Sequence, residues 1–302
     1  MAFLGILHMF RDFALDVLPL FIIALAISAV SAQCFPPRSL DELIQRNGAR
    51  AVLVSAFFGV LLPVTSGYRI PMAAIARKGG APWMLVLTFI GTGAAASIST
   101  IIVTSLIGWQ FAVLRLIVAL LFAFILSLIF RVLEPRLAPV AIGEVESLFN
   151  KDYCEASGSD SDVNGTEDGL IGIWQGFLRL GKVVLPWLLL SMILAILIQA
   201  MVPGKVIESF FSGPLSAPSA ALIGFPFYFV IGTDVPLLLV LLKKGMSLGG
   251  VIAFMLAAPV VNFPVLSMVS RWLGYRVALV FITVCWLVAS AIGALFGYVG
   301  AK

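Results

Sequence analysis

Residues 183–202 read Val-Val-Leu-Pro-Trp-Leu-Leu-Leu-Ser-Met-Ile-Leu-Ala-Ile-Leu-Ile-Gln-Ala-Met-Val, without one charged side chain. As a helix rising about 1.5 Å per residue, this stretch matches the ~30 Å hydrocarbon core of a bilayer. Three other segments read the same way. Val277–Val299 is also uncharged, Phe13–Ala32 carries Asp16 near its start, and Phe111–Phe130 carries Arg115 one turn in. That position lets a long side chain snorkel to the membrane surface. Val30-Ser31-Ala32 resembles a signal cleavage site. A counterpart of Phe13–Ala32 in the second half of the chain argues for a resident span instead.

Composition agrees. Of 302 residues, 61% are hydrophobic and 11% charged, with a mean hydropathy of +1.12. A soluble domain has about 25% charged residues, so this chain cannot clothe a water-soluble globule. The same figures exclude a disordered chain, a nucleic-acid-binding module and a disulfide scaffold. Cys34, Cys154 and Cys285 lie far apart, and His8 is the single histidine. No metal cluster or cofactor is expected, and a histidine base is excluded from any mechanism. The net charge of +4 comes from basic residues at loop ends.

Four further apolar segments are interrupted. Ala51–Lys78 breaks at Pro63–Pro71, Trp83–Ile107 at Gly91-Thr92-Gly93, Ala217–Lys244 at Gly232–Pro236, and Leu248–Leu273 at Pro259–Pro264. The expected fold is an all-α polytopic membrane protein with about eight transmembrane helices, four of them broken. Trp83, Trp109 and Trp272 are expected at span ends, where amphipathic rings settle.

The segments repeat. Val17-Leu18-Pro19-Leu20 matches Val184-Leu185-Pro186-Trp187 at an offset of 167. Gly67 matches Gly232, Pro71 matches Pro236, and Lys78 matches Lys243, all at 165. The chain therefore divides into an N-terminal four-span repeat (1–132), a polar linker (133–178) and a C-terminal repeat (179–302). Even span numbers make the copies parallel, with their axis along the membrane normal. Eleven basic residues on the side of the termini against seven opposite place both termini in the cytoplasm. The linker stretch Ser157–Gly169 has the composition of a flexible tether. Its Asp160-x-Asp162-x-Asn164-Gly165 start resembles a calcium loop, but Ile171 stands where the bidentate Glu belongs.

Breaking a helix in hydrocarbon frees backbone groups that cost several kcal/mol unless satisfied. Breaks at matching positions of two halves point to a transporter's binding site. The matching breaks are Thr65-Ser66-Gly67-Tyr68-Arg69-Ile70-Pro71 and Val230-Ile231-Gly232-Thr233-Asp234-Val235-Pro236. Arg69 and Asp234 hold equivalent positions with opposite charge, so they are expected to meet across the axis, as a binding pair or a lock. Ser97 matches Asn262, which lies between Pro259 and Pro264, free to cap a half-helix or to bind solute. Thr65, Ser66, Tyr68, Tyr228 and Thr233 are the remaining expected polar contacts. Gly293-x-x-x-Gly297 is a small-residue packing face, from which no dimer follows.

Leu242-Lys243-Lys244-Gly245-Met246-Ser247, followed by Ala253–Pro264, resembles the signature of the predicted permease family that includes the organoarsenical (methylarsenite) efflux permease. Pro71–Gly80 echoes it in the first half. The resemblance implies a multi-pass inner-membrane permease. Known members move trivalent organoarsenicals, and many carry cysteines at the first-half break. Here Leu62–Gly67 holds no cysteine, so the soft thiolates an arsenical would seek are missing from it. The expected activity is transport, not enzymatic catalysis. Its cargo is a small polar or anionic solute or ion moved by alternating access, efflux being one direction. A membrane scaffold or assembly partner is the alternative.

Overall fold

The computed structural model describes residues 2–34, 49–61, 69, 70, 73, 76, 77, 80–137, 170–213, 215–227 and 233–300. All regular structure among the described residues is helical. In chain order the helices are α1 (Ala2–Cys34), α2 (Ala49–Leu61), α3 (Trp83–Ala95), α4 (Ile98–Thr104) and α5 (Trp109–Leu133). Then follow α6 (Leu170–Met201), α7 (Gly204–Phe211), α8 (Ser216–Phe227), α9 (Asp234–Lys243), α10 (Leu248–Ala257), α11 (Phe263–Leu273) and α12 (Tyr275–Gly300). The linker residues 138–169, including Asp160–Asp168, lie outside the described residues.

Local chemistry sets the helix ends. Pro82 opens α3, whose Trp83 N–H donates to Glu134 Oε1 at 3.0 Å. Ser247 caps α10 by accepting from the Gly250 N–H at 3.2 Å. Lys244 Nζ donates to the Val202 carbonyl at 2.6 Å, closing the C-terminal end of α6. Such orphan groups at helix ends need partners, most of all in an apolar medium.

Helices α2, α3 and α5 pack together, as do α8, α10 and α12, and α5 joins the two groups through α10 and α12. The close approaches rest on glycine. A Cβ on Gly59 would lie 3.0 Å from the Phe89 carbonyl oxygen, and one on Gly224 would lie 2.6 Å from Ala258 Cβ. Gly293 and Gly297 press on the backbone of Gly249, so this small-residue face is used within the chain. A second core joins Val17 and Phe21 of α1, Val184, Leu188 and Met192 of α6, Val103 of α4 and Val235 of α9.

The outward faces are apolar. Val113, Ile117, Phe124 and Leu128 project outward from α5, as do Leu185, Leu189, Ile193 and Leu197 from α6. Spacings of four and seven keep each set on one helical face. Four runs are long and apolar enough to cross a bilayer: Trp83–Thr104, Trp109–Leu133, Val184–Met201 and Tyr275–Tyr298. The chain is therefore a polytopic membrane protein.

Two expectations are corrected. The interruption between Trp83 and Ile107 falls at Ala96–Ser97, because α3 runs helically through Gly91-Thr92-Gly93. There the glycines admit close neighbours: a Cβ on Gly91 would meet Leu126 Cδ1 at 2.8 Å. Trp83 and Trp109 stand at span ends as expected, the first buried with the Arg77 guanidinium 4.9 Å from its ring centroid and the second exposed. Arg115 does not snorkel, since its side chain is wholly buried.

Candidate functional site

The site gathers where helices stop. Helix α3 ends at Ala95 and α4 begins at Ile98, with Ser97 extended between them. Ser97 Oγ accepts from the Thr100 N–H at 3.4 Å and lies 3.0 Å from Thr100 Oγ1. Helix α10 ends at Ala257 and α11 begins at Phe263. Asn262 Oδ1 accepts from the Val265 N–H at 2.9 Å, while its Nδ2 donates to the Ala258 and Pro259 carbonyls at 3.0 and 2.9 Å. Both residues are buried N-caps. Pro259 sits in the gap between α10 and α11, and Pro264 follows the cap in the first turn of α11, where a missing N–H costs nothing. Pro236 stands likewise in the first turn of α9.

Asp234 opens α9 with its side chain fully buried. A carboxylate is favoured there by the positive end of the helix dipole. The Thr233 carbonyl just before it accepts from Ser191 Oγ of α6. The partner of Asp234 is not Arg69. Arg115 Nη2 of α5 stands 2.9 Å from Asp234 Oδ2, both side chains having no exposure at all. The contact is an ion pair at hydrogen-bond length whose angle lies off the hydrogen-bond line, and Oδ1 has no hydrogen-bond partner.

Arg115 spends its other donors on the helix interruptions. Its Nε donates to the Ala95 carbonyl at 2.8 Å, in the last turn of α3. Its Nη1 donates to Thr104 Oγ1 at 2.9 Å, and that hydroxyl donates to the Thr100 carbonyl. Nη2 also reaches the Met255 carbonyl at 3.4 Å. In an unbroken helix Met255 would receive the N–H of residue 259, but Pro259 has none. One guanidinium thus serves freed carbonyls at both interruptions and neutralises the buried carboxylate. An arginine buried in hydrocarbon costs about 2.5–3.5 kcal/mol or more when alone, and here the freed backbone and Asp234 offset that cost.

Arg69, only 3% exposed, approaches the same turn of α3. A Cβ on Gly93 would lie 2.5 Å from Arg69 Nε, so the guanidinium rests on the glycine backbone. Arg69 and Arg115 therefore both flank the C-terminal turn of α3, where the helix dipole favours cations. Of the remaining expected residues, Thr233 is buried beside Asp234. Thr65, Ser66, Gly67, Tyr68, Pro71, Tyr228 and Gly232 lie outside the described residues. Sequence reasoning missed the role of Arg115. The readable signal was Pro259, which leaves the Met255 carbonyl in need of a donor from another span.

A family model described as a predicted permease matches residues 2–298. The chain belongs to this predicted permease family, as the signature around Lys243–Pro264 implies. The UPF0718 protein MJ0584 of Methanocaldococcus jannaschii is 31% identical over 120 residues, covering 37% of this chain and 33% of that protein. The match thus spans about a third of that relative's length. No solved structure matches the chain.

Proposed function

We propose that this permease moves a small polar or anionic solute by alternating access, through a site between interrupted helices of two four-span repeats. The observation that carries the reading is the full burial of Arg115 and Asp234 at helix interruptions. Intramembrane ionisable groups are costly and mark solute or ion pathways. The repeat is supported by positions 165 apart playing like parts: Ser97 and Asn262 as caps, and Gly59 and Gly224 as contact points for Gly93 and Ala258. Arg69 and Arg115 supply the cationic character that suits an anion, with Ser97, Thr233 and Asn262 as polar neighbours. Thr65, Ser66, Tyr68 and Tyr228 complete the proposed site. Eight spans, an inner-membrane location and cytoplasmic termini belong to the same reading.

The test is uptake of a radiolabelled panel of neutral polar solutes and univalent and divalent anions into proteoliposomes. Saturable uptake of one panel member, abolished by Arg69→Gln, is the expected result. A folded, inserted protein that moves no member of the panel would overturn the transport reading in favour of a scaffold.

A further inference from the structure

Asp234 holds an unfinished arrangement. Its carboxylate is fully buried and neither oxygen has a hydrogen-bond partner: Oδ2 lies 2.9 Å from Arg115 Nη2 as an ion pair, and Oδ1 lacks even that. Buried acceptors without partners are rare, and each calls for a reason. We propose, resting on the permease reading above, that Asp234 Oδ1 is the coupling-proton site and that Arg115 passes from Asp234 to an anionic solute when that proton binds.

The charges balance. In the observed state Arg115 carries +1 and Asp234 carries −1. When Asp234 takes one proton at Oδ1 it becomes neutral, and Arg115 stays charged. Arg115 Nη2, ion-paired with Oδ2 in the observed state, then turns to an oxygen of a univalent anion, which restores zero net charge. One proton therefore accompanies one univalent anion, and the occluded site never holds an unbalanced charge. A metal cation at Oδ1 would instead sit beside a guanidinium of like sign, which the geometry disfavours.

Among the other described charges, the buried Arg69 lies against Gly93 in the turn of α3 that Arg115 holds, a second cation on that side of the site. Helices α4 and α10 contain no titratable residue. On α6 the basic residues are Arg179 and Lys182, more than two turns before Ser191. On α1, His8, Arg11, Asp12 and Asp16 are all exposed. Lys243 lies at the far end of α9, and on α5 the facing charge is Arg115.

The arginine's donor pattern favours exchange over a simple lock. Nε and Nη1 hold the Ala95 carbonyl and Thr104 Oγ1 in aligned hydrogen bonds, whereas Nη2 divides between Asp234 and a 3.4 Å contact to Met255. The Nη2 corner can change partner while the other two stay in place.

The experiment uses the purified full chain in lipid with sodium nitrate present, as the univalent anion that accompanies the proton. Infrared difference spectra are recorded across an acid titration, with circular dichroism followed alongside. The expected result is a neutral carboxylic-acid band that rises while the helices remain folded. Asp234→Glu, which keeps the charge and the pairing, should move that band. If the band moved by Asp234→Glu rises only together with unfolding, Asp234 is a structural lock and the proposal fails. A second arm loads proteoliposomes with a pH-sensitive dye and adds L-lactate or nitrate under an imposed membrane potential. Flux of either anion with equimolar proton movement, unchanged by the potential, is expected. Flux that follows the potential overturns the exchange. No flux of any anion, with the folded-state band intact, overturns the permease reading and leaves the proton site standing.

Discussion

Ser97 and Asn262, 165 residues apart, close the same kind of gap: each is a buried N-cap at which a helix restarts after an interruption. Asn262 does more of the work, accepting from Val265 and donating to two carbonyls of the Ala258–Pro259 turn. Ser97→Ala should lower stability by about 1 kcal/mol, the usual loss of a cap. Asn262→Ala should cost more, on the order of 2–3 kcal/mol, because buried carbonyls also lose donors. Asn262→Asp keeps the accepting oxygen but sets a buried carboxylate oxygen against the Ala258 and Pro259 carbonyls, so it should be no more stable than Asn262→Ala. Thermal unfolding in detergent checks the order.

Arg115 and Asp234 predict strong coupling. Asp234→Leu or Arg115→Leu leaves one charge stranded, and breaking a buried pair from one side typically costs about 3–5 kcal/mol. The double variant should recover part of that loss but not all, because the Ala95 and Met255 carbonyls lose Arg115 as a donor. Arg69→Leu combined with Asp234→Leu should instead be additive. A double-mutant cycle on thermal stability reads both, and coupling confined to Arg69 and Asp234 would contradict the pairing.

Close backbone contacts predict which glycines tolerate a methyl group. Gly93→Ala would put Cβ 2.5 Å from Arg69 Nε and 2.7 Å from the Gly59 carbonyl oxygen. Overpacking of this sort costs about 1–3 kcal/mol. Gly224→Ala meets Ala258 Cβ at 2.6 Å and should behave alike. Gly181 has nothing within 4 Å of the same position and lies inside α6, so Gly181→Ala should stabilise by about 0.5–1 kcal/mol. Urea or thermal denaturation of the three variants separates the cases.

Much of this architecture was legible in the sequence because hydrocarbon imposes one strong rule on each span: length without charge. The uncharged runs around Leu188 and Phe281 lie within helices α6 and α12. The exact interruption in the first half was not legible. Glycine at 91 and 93 reads as a breaker locally, but those residues serve the approach of Leu126, Gly59 and Arg69. The Arg69–Asp234 expectation rested on matching position and opposite sign. Pairing depends on where side chains reach in three dimensions, and Arg115 reaches Asp234 from a different span.

Cysteine chemistry gives a further test. Cys285 is buried inside α12, away from the helix interruptions in sequence. Replacing Cys34, Cys154 and Cys285 with alanine should leave transport largely intact, measured with whichever panel solute the wild type carries. Loss of uptake in a normally folded triple variant would restore a thiol-dependent mechanism.

The pairing of Arg115 with Asp234 also sets an order of events in time. Arg115 leaves the ribosome 119 residues before Asp234 (234 − 115), which at about 5–20 residues per second is roughly 6–24 s. For that interval the first half holds a cation whose counter-charge has not been made. Residues 1–137 synthesised alone should therefore remain a substrate for membrane chaperones and proteases. Supplying residues 170–302 as a separate chain should rescue them. In living cells the second half would act as the quality-control signature of the first.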